Sequence, residues 1–123
     1  MRKIMFGMIC GLITTLSYAD NCEQARNTYD DIYCTNKIFA SADADLNKNY
    51  QQLRTKLDDS QKKILKKSQV AWIRQRDAQC SDDSKSTVYV QCQLRSTQER
   101  NNWLQERLRE CKTVGCKTTR LSE

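Results

Sequence analysis

Apolar positions in this chain form one continuous block near the start and spaced stripes after it. Residues 4–16 carry no charge and are mostly apolar, behind Met1, Arg2 and Lys3 and ahead of Ser17, Tyr18 and Ala19. A basic start, a short apolar core and small residues at the end are the layout of a secretory signal peptide, with cleavage expected after Ala19. The block falls short of the roughly 20 apolar residues that a membrane helix needs. Cys10 lies inside the apolar core and not at its end, which argues against lipid modification there. Residues 1–19 are thus expected to be removed. Residues 20–123 are left as one domain, with no stable membrane insertion.

Past the leader the pattern turns helical. Leu46, Tyr50, Leu53 and Leu57 recur at steps of four, three and four, which predicts a helix from residues 41–43 to about residue 57. Asp58, Asp59 and Ser60 end that helix and cap the next. The next is expected over about 60–79, with Ile64, Leu65, Ala71, Trp72 and Ile73 inward and Lys62, Lys63, Lys66 and Lys67 elsewhere. A last helix is expected over about 88–110, with Leu94, Leu104 and Leu108 inward and its charges outward. A short helix precedes all of these, capped by Thr28 with Asp31 as the reciprocal acid. Residues 81–86 are polar and read as a connection. There is no proline, and Gly115 is the only glycine after the leader. The predicted fold is all-α, a small domain of about four helices around an antiparallel helix hairpin.

Composition narrows the chemistry. The chain has 21 Lys and Arg against 15 Asp and Glu, a formal charge of +6. Losing Arg2 and Lys3 leaves 19 cations against the same 15 acids, or +4. With no histidine at all, a Ser-His-Asp triad, a Cys-His pair and a His-ligated zinc are excluded. The neighbouring acids Asp43/Asp45 and Asp82/Asp83 come with no apolar surroundings that would tune one of a pair for catalysis. No catalytic residue and no cofactor is expected. The mature charge is only +4 and acids are interspersed along the chain, so the lysine cluster reads as a solvated helix face and no nucleic-acid partner is expected either.

Six cysteines follow the leader: Cys22, Cys34, Cys80, Cys92, Cys111 and Cys116. An even number in an exported chain reads as three disulfides, and the lack of a C-x-x-C pair argues against a metal site. Sequential pairing is expected, 22 with 34, 80 with 92 and 111 with 116. In one unbroken helix Cys22 and Cys34 would stand about 18 Å apart. A disulfide needs Cα atoms within about 7 Å. The helix must therefore be interrupted between them, and Asn27 and Thr28 supply the break.

Three clusters then stand out in order: Asp43, Leu46, Asn47 and Tyr50; Leu65, Gln69, Trp72, Arg76, Asp77 and Cys80; and Cys92, Arg100 and Leu104. Behind a first cysteine pair, this order resembles the small secreted family of lysozyme inhibitor LprI. Its pattern runs D-x-x-L-N-x-x-Y, then L-x-x-x-Q-x-x-W-x-x-x-R-D-x-x-C, then a cysteine and an R-x-x-x-L helix. The likeness spans about residues 22–108, and the Q-x-x-W-x-x-x-R-D-x-x-C run is its specific part. Cys111 and Cys116 depart from the pattern and read as an extra local bridge. The resemblance implies a helical, periplasmic or secreted domain without enzymatic activity, with lysozyme binding in some relatives.

The motif residues are expected to build the fold. Trp72 is expected to be buried against Tyr50, Leu53 and Leu104, and Arg76 and Arg100 to link helices through Asp43 or Asp77. Among functions, a protein-binding module fits best, and the resemblance implies lysozyme or another cell-wall hydrolase as the partner. A different envelope protein, for example the target of an immunity protein, is the alternative. Animal-type lysozymes are strongly basic, so a net-positive inhibitor gains nothing from overall charge and must rely on local contacts. The expected contact segment is residues 81–87. Lys85 suits the paired carboxylates of a glycosidase cleft, and Asp82 and Asp83 suit a basic rim.

Overall fold

Asn27 turns the chain from extended backbone (φ −159°, ψ 175°) into α1, Thr28–Arg54, and its side chain accepts a hydrogen bond from the Asp30 amide at 2.9 Å. The computed structural model describes Cys22, residues 26–81 and residues 87–123. The leader and residues 82–86, with Asp82, Asp83 and Lys85, lie outside the described residues. Two further helices follow, α2 (Asp59–Gln79) and α3 (Thr87–Thr113), then a short 3-10 turn at Thr118–Arg120.

The helix count differs from the expectation at one place. The predicted short helix and the helix expected from 41–43 are one continuous helix of 27 residues. Ser41 and Asp43 are cap-forming residue types. But the stretch around them has alanine at 40, 42 and 44 and neither Gly nor Pro, so nothing breaks the backbone ladder. The cap belongs to Asn27; Thr28 is the first helical residue, and Asp31 bonds Asn27 only through its backbone amide. The break between Cys22 and Cys34 lies where the cysteine spacing required it. At the start of α2 the Asp58 carboxylate accepts from Gln61 N at 2.8 Å, and Gln61 Oε1 accepts from Asp58 N at 3.1 Å. That reciprocal pair fixes the turn between α1 and α2.

Side-chain pairings give the helix directions. Asn49 donates to Asn101 Oδ1 at 2.6 Å, and further along Cys116 Sγ lies 3.5 Å from Lys56 O, so α1 and α3 run the same way. Gln61 reaches Thr118, and Arg76 reaches Thr97 near the other end, so α2 runs against them. The broadest contact is between α1 and α3, and not within an antiparallel hairpin of chain neighbours.

The core is a leucine cluster: Leu46, Leu53 and Leu57 from α1 and the turn after it, Leu65 from α2, Leu104 and Leu108 from α3, and Leu121 from the C-terminal segment. Tyr50, Ile64, Trp72 and Trp103 pack against it, partly buried. Two residues expected inward are not: Ala71 and Ile73 face solvent. Each residue turns a helix by about 100°, and the seam marked by Leu65, Gln69, Trp72 and Arg76 leaves positions 71 and 73 on either flank. Leu94 is half-buried.

All three disulfides pair sequentially, with Cα separations of 5.8 Å for Cys22–Cys34, 5.6 Å for Cys80–Cys92 and 4.2 Å for Cys111–Cys116. The last closes over Gly115, whose φ of +95° is a conformation that L-residues with a Cβ avoid. That turn sends the chain back so that Leu121, only 1% exposed, plugs the end of the core.

Candidate functional site

The side chains of the Q-x-x-W-x-x-x-R run meet those of α3 along one seam. Arg100 is 7% exposed and is held by three acceptors. Its Nε donates to Gln69 Oε1 at 2.9 Å, its Nη2 to Ser68 Oγ at 2.7 Å and its Nη1 to the backbone oxygen of Glu123 at 3.0 Å. Ser68 Oγ donates to that same oxygen at 3.0 Å, so the C-terminal segment is tied to both helices. Burial, and next the charge of Arg107, lower the Arg100 pKa well below the usual guanidinium value, to about 10. It remains a cation at neutral pH, although burial opposes its charge.

Aromatic rings alternate with guanidiniums along the seam. The Arg100 guanidinium carbon lies 3.7 Å from the centroid of Trp103 and 6.0 Å from that of Trp72. Arg76 lies 5.0 Å from Trp72 and 5.7 Å from Phe39, and Arg107 lies 5.3 Å from Trp103. Phe39, Arg76, Trp72, Arg100, Trp103 and Arg107 therefore form one stack drawn from all three helices. Each desolvated contact of this kind contributes about 1–2 kcal/mol. Between Trp72 and Trp103 a groove of about 270 Å³ opens to solvent, edged by Gln75, Gln79 and Glu99.

Acidic partners close both ends. Arg76 lies 3.7 Å from Asp43 and 3.0 Å from Asp77, as the sequence suggested for that arginine. For Arg100 the suggestion fails: it reaches neither acid, because it enters the seam two turns from Asp77 and meets Gln69 and Ser68 first. At the other end Arg107, 2% exposed, ion-pairs with Glu106, Glu110 and Glu123. Its Nε lies 3.0 Å from Glu110 Oε2 without an aligned N–H, so that contact is Coulombic. Glu110 also holds Arg120. The Trp103 indole N–H is buried with no acceptor among the described residues.

The other motif positions divide. Leu46 and Leu104 are core, and Tyr50 is half-buried against it. Asn47 is exposed. It lies about 100° round the helix from Leu46, off the seam, and the inward amide of α1 is Asn49. Trp72 packs on the leucine cluster but is only partly buried, because one edge lines the groove. Trp103, Arg107 and Leu121 escaped the sequence reading. The spacing 100, 103, 104, 107 and 108 is a helix stripe that includes two arginines, and treating Arg107 as an outward charge concealed it.

The seam's arginines are stacked on aromatic rings and hydrogen-bonded or ion-paired, and Asp43, Asp77, Glu106, Glu110 and Glu123 each face an arginine. Such a seam holds helices together. The model of one protein family, described as lysozyme inhibitor LprI, matches residues 19–104. No curated protein and no solved structure matches the chain.

Proposed function

This chain belongs to the lysozyme inhibitor LprI family, and from that premise we propose that it is an exported, non-enzymatic inhibitor of lysozyme or a related cell-wall hydrolase. The family match is the observation that carries the reading. Its start at residue 19 supports removal of residues 1–19 and a mature domain of 20–123 in the periplasm or outside the cell.

We place the contact on residues 81–87. The Cys80–Cys92 bridge ties the end of α2 to the second turn of α3 and so holds both ends of this connection. A tethered loop loses less entropy on binding than a free one. Lys85 would enter the cleft and meet its two carboxylates, while Asp82 and Asp83 would meet basic groups at the rim. The net positive charge favours a second reading, a partner elsewhere in the envelope that is not a basic lysozyme.

The test is a cell-wall hydrolysis assay with oxidised 20–123 against a panel of lysozymes. Wild type is expected to inhibit, and Lys85→Ala and Asp82→Asn/Asp83→Asn, each confirmed folded, are each expected to weaken inhibition by about tenfold or more, the size of one lost charged contact. Inhibition unchanged in both variants removes the loop from the mechanism. No inhibition by wild type against any member of the panel favours the envelope partner.

A further inference from the structure

The outer side of α2 carries two adjoining depressions. One, of about 570 Å³, lies between α2 and the C-terminal turn and is floored by Ile64 and Ala71, with Thr118 and Thr119 on its far wall. The other, of about 400 Å³, lies among Lys63, Lys66, Val70 and Arg74. Lys67 and Ala71 line both, so the two are continuous. No acidic residue lines either one. The nearby Asp77 is held by Arg76 at 3.0 Å, and no described salt bridge uses Lys63, Lys66, Lys67 or Arg74. Val70 and Ile73, each 38% exposed, add apolar surface between the cations.

We propose that this face docks an acidic, amphipathic segment of a protein partner, whose apolar side chains fill the depressions and whose carboxylates meet Lys63, Lys66, Lys67 and Arg74. Charge complementarity selects the occupant. A second copy of the chain would bring the same positive face and be repelled, and so would a basic lysozyme. This surface is therefore separate from the 81–87 connection and does not depend on the inhibitor reading. A concave floor suits a protruding ridge of side chains better than a flat bilayer. The face also lacks the exposed aromatic residues that anchor a helix among lipid headgroups.

The probe is an amphipathic helical peptide of leucine and glutamate, titrated into oxidised, isotope-labelled protein and followed by amide chemical shifts. Expected are shifts concentrated at Ile64, Lys67, Val70, Ala71 and Thr118. Affinity should fall by about tenfold or more in Lys63→Glu/Lys67→Glu and again at high salt. Both lysines are exposed, so the variant keeps the fold, and an unchanged melting curve verifies this. A leucine–lysine peptide should leave the spectrum unchanged. The proposal is overturned if the glutamate peptide does not bind, if it binds the double variant equally well, or if its shifts map elsewhere. Sedimentation with phosphatidylglycerol vesicles while the glutamate peptide leaves the spectrum unchanged also overturns it, by assigning the face to lipid.

Discussion

Arg100→Ala is expected to lower stability by about 3 kcal/mol or more, since hydrogen bonds to a charged donor contribute about 1.5–3 kcal/mol each and buried acceptors left unpaired add to the loss. Gln69 Oε1 and Ser68 Oγ lose their donor at once, and the Glu123 oxygen keeps only the Ser68 hydroxyl. Trp103 also loses a guanidinium stacked 3.7 Å away. The C-terminal segment loses one of its ties, alongside those from Ser68, Arg107 and Gln61, so the packing of Leu121 should loosen as well. Arg100→Lys should recover only part of the loss, because an ammonium lacks the planar fork that reaches three acceptors while lying flat on an indole. Denaturant unfolding of the two variants checks this. An Arg100→Ala midpoint equal to that of wild type would mean that the seam contributes nothing to folding.

Trp72→Ala should cost about 3 kcal/mol, the low end for a large aromatic, since one edge of the ring already faces the groove. Trp72 and Arg100 share partners, so the double variant should lose less than the sum of the two singles. The decisive comparison is between unfolding and binding. If Trp72→Ala melted like wild type yet lost its partner, this tryptophan would belong to the contact surface and not to the fold.

Much of this architecture is legible in the sequence, for identifiable reasons. Leu46, Leu53 and Leu57 announce their helix by spacing alone. The run Asp58, Asp59 and Ser60 marks the start of α2 by its cap-forming residues, although the reciprocal bond from Asp58 N to the Gln61 side chain does not show in it. The sequential disulfides follow from short separations around places where helix has to stop. What remained hidden is tertiary. Continuity of α1 through Ser41 and Asp43 depends on the absence of a competing turn, and two cap-forming residues look the same whether or not they are used. Burial of Arg100 and Arg107 becomes favourable only because indoles, Ser68, Gln69 and glutamates from distant positions converge on them. Leu121 is a lone leucine in a polar tail, with no periodicity to mark it. The motif placed Gln69, Trp72, Arg76 and Arg100 on facing helices, but it did not show that Arg100 turns to Gln69 and Ser68 while Arg76 alone takes the aspartates.

The measurement closest to the central claim is calorimetric titration of oxidised 20–123 into a lysozyme whose cleft is either empty or filled with a chitin oligosaccharide. A cleft-blocking inhibitor predicts one-to-one binding to the empty enzyme, and its loss when the oligosaccharide is present. Binding that is equally strong with the cleft filled, or no binding to the empty enzyme, would contradict the account.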